Sequence, residues 1–101
     1  MELNKDLLKC LKESFVKLGL EYSIKNLDNS VKLILKSTDV EVDFTLLQDI
    51  YWNPFLKKYG VTHRTGTVYR SEGKSTYVWY VREVKKHEDD DINPVYVKHL
   101  N

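Results

Sequence analysis

The chain has 101 residues, 42% hydrophobic and 31% charged, with four Gly, two Pro and one Cys. That length and composition describe one compact domain, 1–101, able to bury roughly two-thirds of its unfolded surface, and they exclude a two-domain enzyme, a fibrous chain and a disordered one. Sixteen basic against 15 acidic residues leave a net charge of +1, so overall charge selects no partner; one cysteine makes no internal disulfide, and the lack of an apolar signal core or membrane-length apolar run favours a reducing, cytoplasmic setting.

Leu3, Leu7, Leu11, Phe15 and Leu18 recur at helical spacing and predict a helix over 3–18 with one buried face. Asn4 suits the N-cap, with Asp6 in the first turn and Leu3 and Leu8 at the two positions of a hydrophobic staple. Gly19 suits a left-handed stop, from which Leu20 folds back on Phe15. Lys5, Lys9, Lys12 and Glu13 fall off the stripe, as a solvated face requires, and Cys10 lies beside it as a small buried or boundary thiol rather than a nucleophile.

Leu20, Tyr22 and Ile24 then alternate with polar residues up to the turn at Asn26-Leu27-Asp28-Asn29. Val31, Leu33 and Leu35 alternate with Lys32 and Lys36, while Ile34 interrupts the polar side and points to a central strand covered on both faces. Val40, Val42 and Phe44 alternate with Glu41 and Asp43, which predicts a third short strand joined as a meander. Thr45 and Gln48 form a capping-box pattern opening a helix, and Asn53-Pro54 predicts a break, with Asn53 as a second N-cap and an end near Gly60. Tyr51, Trp52 and Phe55 around that break read as core plugs beneath the sheet.

From Val61 to Lys86 the chain reads as a hairpin about Glu72-Gly73. An unbroken register sets Val68 against Tyr77, Gly66 against Trp79 and Arg64 against Val81. One face then carries Val68, Tyr77, Trp79 and Val81. The other carries His63, Thr65, Thr67, Tyr69, Thr76, Val78, Tyr80 and Arg82. Trp79 lying over Gly66 would be aromatic rescue of a strand glycine and favours burial of the first face.

Charge is uneven along the chain: residues 57–86 are net +6, 1–56 net −2 and 87–101 net −3, and all three arginines fall in the hairpin. Arginine and tyrosine on a sheet face suit nucleic acid, since guanidinium binds phosphate bidentately and aromatic rings stack on splayed bases. They equally suit a protein partner, and a third use is to guard an exposed strand from edge pairing. The candidate binding residues are His63, Arg64, Tyr69, Arg70, Lys74, Tyr80 and Arg82. The acidic run Glu88 to Asp91 reads as a solvated loop able to screen the hairpin, and Val95, Tyr96 and Val97 as a final strand.

Glu83-Val84-Lys85, with Asp43 and Glu13, resembles the acidic pair and lysine of the PD-(D/E)xK nucleases, a resemblance that implies Mg²⁺ held by the carboxylates and water oriented by the lysine. Phe44 after Asp43 and the long helical gap before Glu83 depart from that family's pattern, which places the nuclease reading third. His87 beside its four acids lacks metal-ligand spacing to His63 and His99, and Ser71-Glu72-Gly73-Lys74 is no phosphate-binding loop.

The expected fold class is therefore α+β, in the order α-β-β-β-α-β-β, with a mainly antiparallel sheet and helices on one face. The element order is similar to that of the small chaperones of bacterial secretion systems, an order without a shared motif. The expected function is non-enzymatic binding through the 61–86 hairpin, without cofactor or metal, to nucleic acid or the machinery that handles it. The alternative is a protein-binding inhibitor or adaptor of the kind phages and mobile elements use to block a larger enzyme.

Overall fold

The computed structural model describes residues 1–84; Lys85, Lys86, His87, His99, the acidic run Glu88 to Asp91 and the expected strand at Val95 to Val97 lie outside the described residues. Helix α1 spans Lys5–Lys17 and is specified at both ends by its own residues. Asn4 Oδ1 accepts from the Asp6 and Leu7 N–H groups at 2.8 and 3.3 Å, satisfying two of the four donors a helix start leaves open. At the other end Leu20 N–H donates to Phe15 C=O at 2.9 Å and Gly19 N–H to Val16 C=O at 3.0 Å, a Schellman closure that needs Gly19 at φ 73°. Leu7, Leu11 and Phe15 are fully buried, whereas Leu18 stays exposed beyond the stripe.

Strands β1 (Glu21–Asn26) and β2 (Val31–Ser37) form the first hairpin. The third strand expected at Val40 to Phe44 is absent, and turns occupy that segment. Short polar side chains explain the substitution: Ser37 Oγ accepts from Asp39 N–H at 3.0 Å, and Asp39 Oδ1 accepts from Glu41 N–H at 2.9 Å. Each offers the backbone a local partner in place of a ladder bond. Phe44 instead opens helix α2, Phe44–Leu47, and is buried. The cap is Asp43, whose Oδ1 accepts from Leu46 N–H at 3.0 Å, and not Thr45.

The break expected at Asn53-Pro54 is also replaced. A π-helical turn, Gln48–Trp52, leads directly into α3, Asn53–Lys58, with Asn53 helical at φ −59° and ψ −41°. Proline in a regular helix collides with the carbonyl four residues back. Widening the preceding turn relieves that collision, and Asn53 N–H donates five residues back to Gln48 C=O. Gly60, at φ 71°, ends the segment.

Strands β3 (Val61–Ser71) and β4 (Lys74–Glu83) close the second hairpin, and β4 lies against β2, giving a four-stranded antiparallel sheet in the order β1-β2-β4-β3 among the described residues. The fold is α+β. Its core joins Leu7, Leu11, Phe15, Trp52 and Leu56 of the helices to Val31, Leu33, Leu35, Tyr77, Trp79 and Val81 of the strands, so the helices cover one sheet face. Trp52 is central: its indole N–H donates to Ser14 Oγ at 3.0 Å, and its ring stacks on Trp79 at 5.5 Å and meets Phe15 edge-on at 5.5 Å. Tyr77 stacks on Phe44 at 5.2 Å and donates its hydroxyl to Gln48 Oε1 at 3.2 Å. Burial, reinforced by the Asp49 carboxylate, pushes the Tyr77 phenol up to about 12. Tyr51, expected in this core, is exposed.

Candidate functional site on the open sheet face

The hairpin register runs as expected from Ser71↔Lys74 to Thr67↔Val78 and then slips, because Arg64 pairs with Tyr80 and His63 with Val81. Thr65 and Gly66 together oppose the single residue Trp79, which is a β-bulge. Gly66 is needed there, since a Cβ at this position would overlap the Tyr77 phenol. Tyr77, rather than Trp79, is thus the aromatic residue lying over the glycine.

One extra residue exchanges the faces of everything before it. His63 moves from the outward set to the core side, where its ring meets Trp79 edge-on at 6.4 Å. Arg64 moves the other way and is exposed beside Tyr80. Arg70, paired with the buried Ser75, is not on the outer face at all: its guanidinium donates to Val40 C=O, to Val42 C=O at 3.4 Å and to Ser75 Oγ at 3.3 Å. It clamps the 38–43 turns onto the sheet end, a structural task for a residue expected to meet a ligand.

The face opposite the helices carries every second residue of each strand. Across it runs the row Lys25, Lys32, Tyr80, Arg64, one residue from each strand in spatial order. The next row is Ser23, Ile34, Val78, Thr67, and the third is Glu21, Lys36, Thr76, Tyr69. Arg82 and Thr62 extend the first end, and Lys74 and Ser71 the other. Among the described strand residues, six cations therefore share this face with one carboxylate, Glu21. Tyr69 is 58% exposed, and Tyr80 is half-buried between Lys32 and Arg64. Four residues along β4 separate the two tyrosine rows, roughly 13 Å.

Of the residues expected at the site, Arg64, Tyr69, Lys74, Tyr80 and Arg82 come together on this face, whereas His63 and Arg70 do not. Lys25, Lys32 and Lys36 join it unannounced, because a charge count confined to 57–86 misses what β2 brings alongside β4. The alternation of Lys32 and Lys36 with buried Val31, Leu33 and Leu35 is the signal that could have found them. β2 is central as expected, between β1 and β4, but Ile34 on the face opposite the helices is half-buried, and among the described residues no second layer covers it.

Two of the acids in the nuclease-like set, Asp43 and Glu83, are far apart. Asp43 caps α2 at the sheet end that Arg70 clamps beside Ser75, while Glu83 lies eight residues further along β4, roughly 26 Å away. Among the described residues no group of three or more His, Cys, Asp or Glu side chains is placed to hold a metal ion, and no helix is long and apolar enough to cross a membrane. The chain matches no family model and no curated protein.

Proposed function

We propose that the chain is a non-enzymatic binding module for single-stranded nucleic acid, using the open face of its sheet. The observation that carries this reading is the cross-strand row in which Tyr80 stands between Lys32 and Arg64 on neighbouring strands, with Arg82 two residues along its own strand. A base stacks on an aromatic face while flanking cations neutralise its phosphates. Tyr69, roughly 13 Å off in the Thr76 row, offers a second ring at a distance that two or three extended nucleotides span. Single strands are favoured over duplex because the ring, and not a protruding helix or loop, occupies the centre of the cationic row.

The second reading, a protein-binding inhibitor or adaptor, draws on Ile34 and Val78, which face each other in the middle of this surface. An apolar centre with tyrosine and arginine around it is the usual make-up of a protein hot spot.

Salt dependence separates the two. Binding of labelled single-stranded oligonucleotides, measured at several salt concentrations, should weaken with a slope of about −0.7 per phosphate neutralised, hence about −2 for Lys32, Arg64 and Arg82 together. Tyr80→Ala should cost about 1–3 kcal/mol, and Arg64→Ala should flatten the slope by about 0.7. His63→Ala and Arg70→Ala should leave the slope unchanged. Absence of salt-sensitive binding at low ionic strength, with folded protein, rejects the nucleic-acid reading in favour of the protein partner.

A further inference from the structure

Two strand edges are open among the described residues, and they differ. The β3 edge is interrupted by the bulge at Thr65-Gly66, a device that twists an edge away from casual pairing. The β1 edge is regular. Its six residues pair with β2 without a slip from Glu21↔Lys36 to Asn26↔Val31, contain no proline, and are exposed except for half-buried Ile24. Among the described residues nothing pairs with the N–H and C=O groups on its far side, which form a row able to accept another strand.

We propose that this edge is a homodimer interface, β1 pairing antiparallel with β1 of a second copy about a two-fold axis at Ser23. The strand is self-complementary in that arrangement. Glu21 faces Lys25 of the other copy and Lys25 faces its Glu21, both on the open face, while Tyr22 faces Ile24 on the helix side. A slip of one residue sets helix-side residues against open-face ones. A slip of two leaves Lys25 or Glu21 opposite Ser23. The Ser23-centred register therefore joins both opposite charges at once. Tyr22 is 39% exposed although its ring packs on Phe15 at 5.5 Å, so an apolar surface is available at the edge for Ile24 of the second copy to cover. The product is one sheet running continuously through both copies, with the described β1-β2-β4-β3 order on either side of the two-fold axis. It requires no nucleic acid, so it stands or falls separately from the binding reading.

The test is sedimentation equilibrium of the full chain, without nucleic acid, with circular dichroism confirming the fold of each variant. Wild type should dimerise. Glu21→Lys and Lys25→Glu, both at exposed positions, each turn two attractive pairs into two repulsive ones and should raise the dissociation constant about tenfold or more. An equimolar mixture of these two variants should dimerise as wild type does, because every lysine again faces a glutamate. The double variant Glu21→Lys/Lys25→Glu should do so alone. A wild type that is monomeric up to about 1 mM, a dimer indifferent to the single variants, or a mixture that fails to recover would each overturn the proposal.

Discussion

Replacing Tyr77 by Phe isolates one buried hydroxyl in a core otherwise held by ring packing. The ring itself contacts Phe44, Trp52 and Trp79 at centroid distances of 5.2, 6.4 and 6.0 Å, and phenylalanine retains all three contacts. What disappears is the donor to Gln48 Oε1, on a side chain that is itself buried. Leaving a buried acceptor unmatched costs about 1–3 kcal/mol, so the variant should be less stable by that amount at neutral pH. Alkaline titration gives a second, independent readout. The Tyr77 phenol ionises near 10 in the unfolded chain and at about 12 in the folded one, so its contribution is intact below pH 10 and is lost as pH rises toward 12. That difference corresponds to roughly 3 kcal/mol lost by wild type and not by Tyr77→Phe, and the two stability curves should converge and meet between about pH 11 and 12. Urea unfolding at a series of pH values measures both. A stability gap that stays constant from pH 7 to 12 would refute the placement of this hydroxyl in the core, and no gap at neutral pH would show that Gln48 finds its donor elsewhere.

Two further substitutions probe how helix and sheet interlock. Leu11→Ala removes a fully buried side chain from the middle of the α1 stripe and should destabilise by about 2–5 kcal/mol in chemical denaturation; a loss under ~1 kcal/mol would make α1 peripheral. Gly66→Ala drives a methyl group into the Tyr77 phenol and should cost about 1–3 kcal/mol, an effect that Tyr77→Leu in the same chain, by vacating the space, should partly cancel in a double-mutant cycle.

The parts of the fold legible from sequence are those whose cause is local. Asn4, Gly19 and Leu20 announce the limits of α1 because cap and closure are made within a few residues of where they stand. Val40, Val42 and Phe44 misled because period-two alternation also fits a run of turns in which Val40 stays exposed, Val42 packs partly against the core and only Phe44 is buried, and Ser37, Asp39 and Asp43 act through side-chain bonds that hydrophobic pattern does not register. The candidate site was half legible. Tyr80, Tyr69 and Arg82 keep their face because β4 and the hairpin tip are regular, whereas His63 and Arg64 trade places on account of a bulge marked only by Gly66. Lys32 reaches Tyr80 through the β2–β4 pairing, a contact between distant parts of the chain that no window of sequence contains.

That same β2–β4 pairing shapes how the molecule assembles. Each hairpin closes on its own short turn, while the seam joins Ser37 to Ser75 and Val31 to Val81, roughly 40 to 50 residues apart, with the whole helical segment in the intervening loop. Closing a loop of that length is the entropically expensive event in reaching this topology, and it sets the folding rate more than either hairpin does. Trp52 sits inside the loop and stacks on Trp79 of the seam at 5.5 Å. It divides one long closure into two shorter ones, so the segment that delays the seam also carries the side chain that helps to draw it shut.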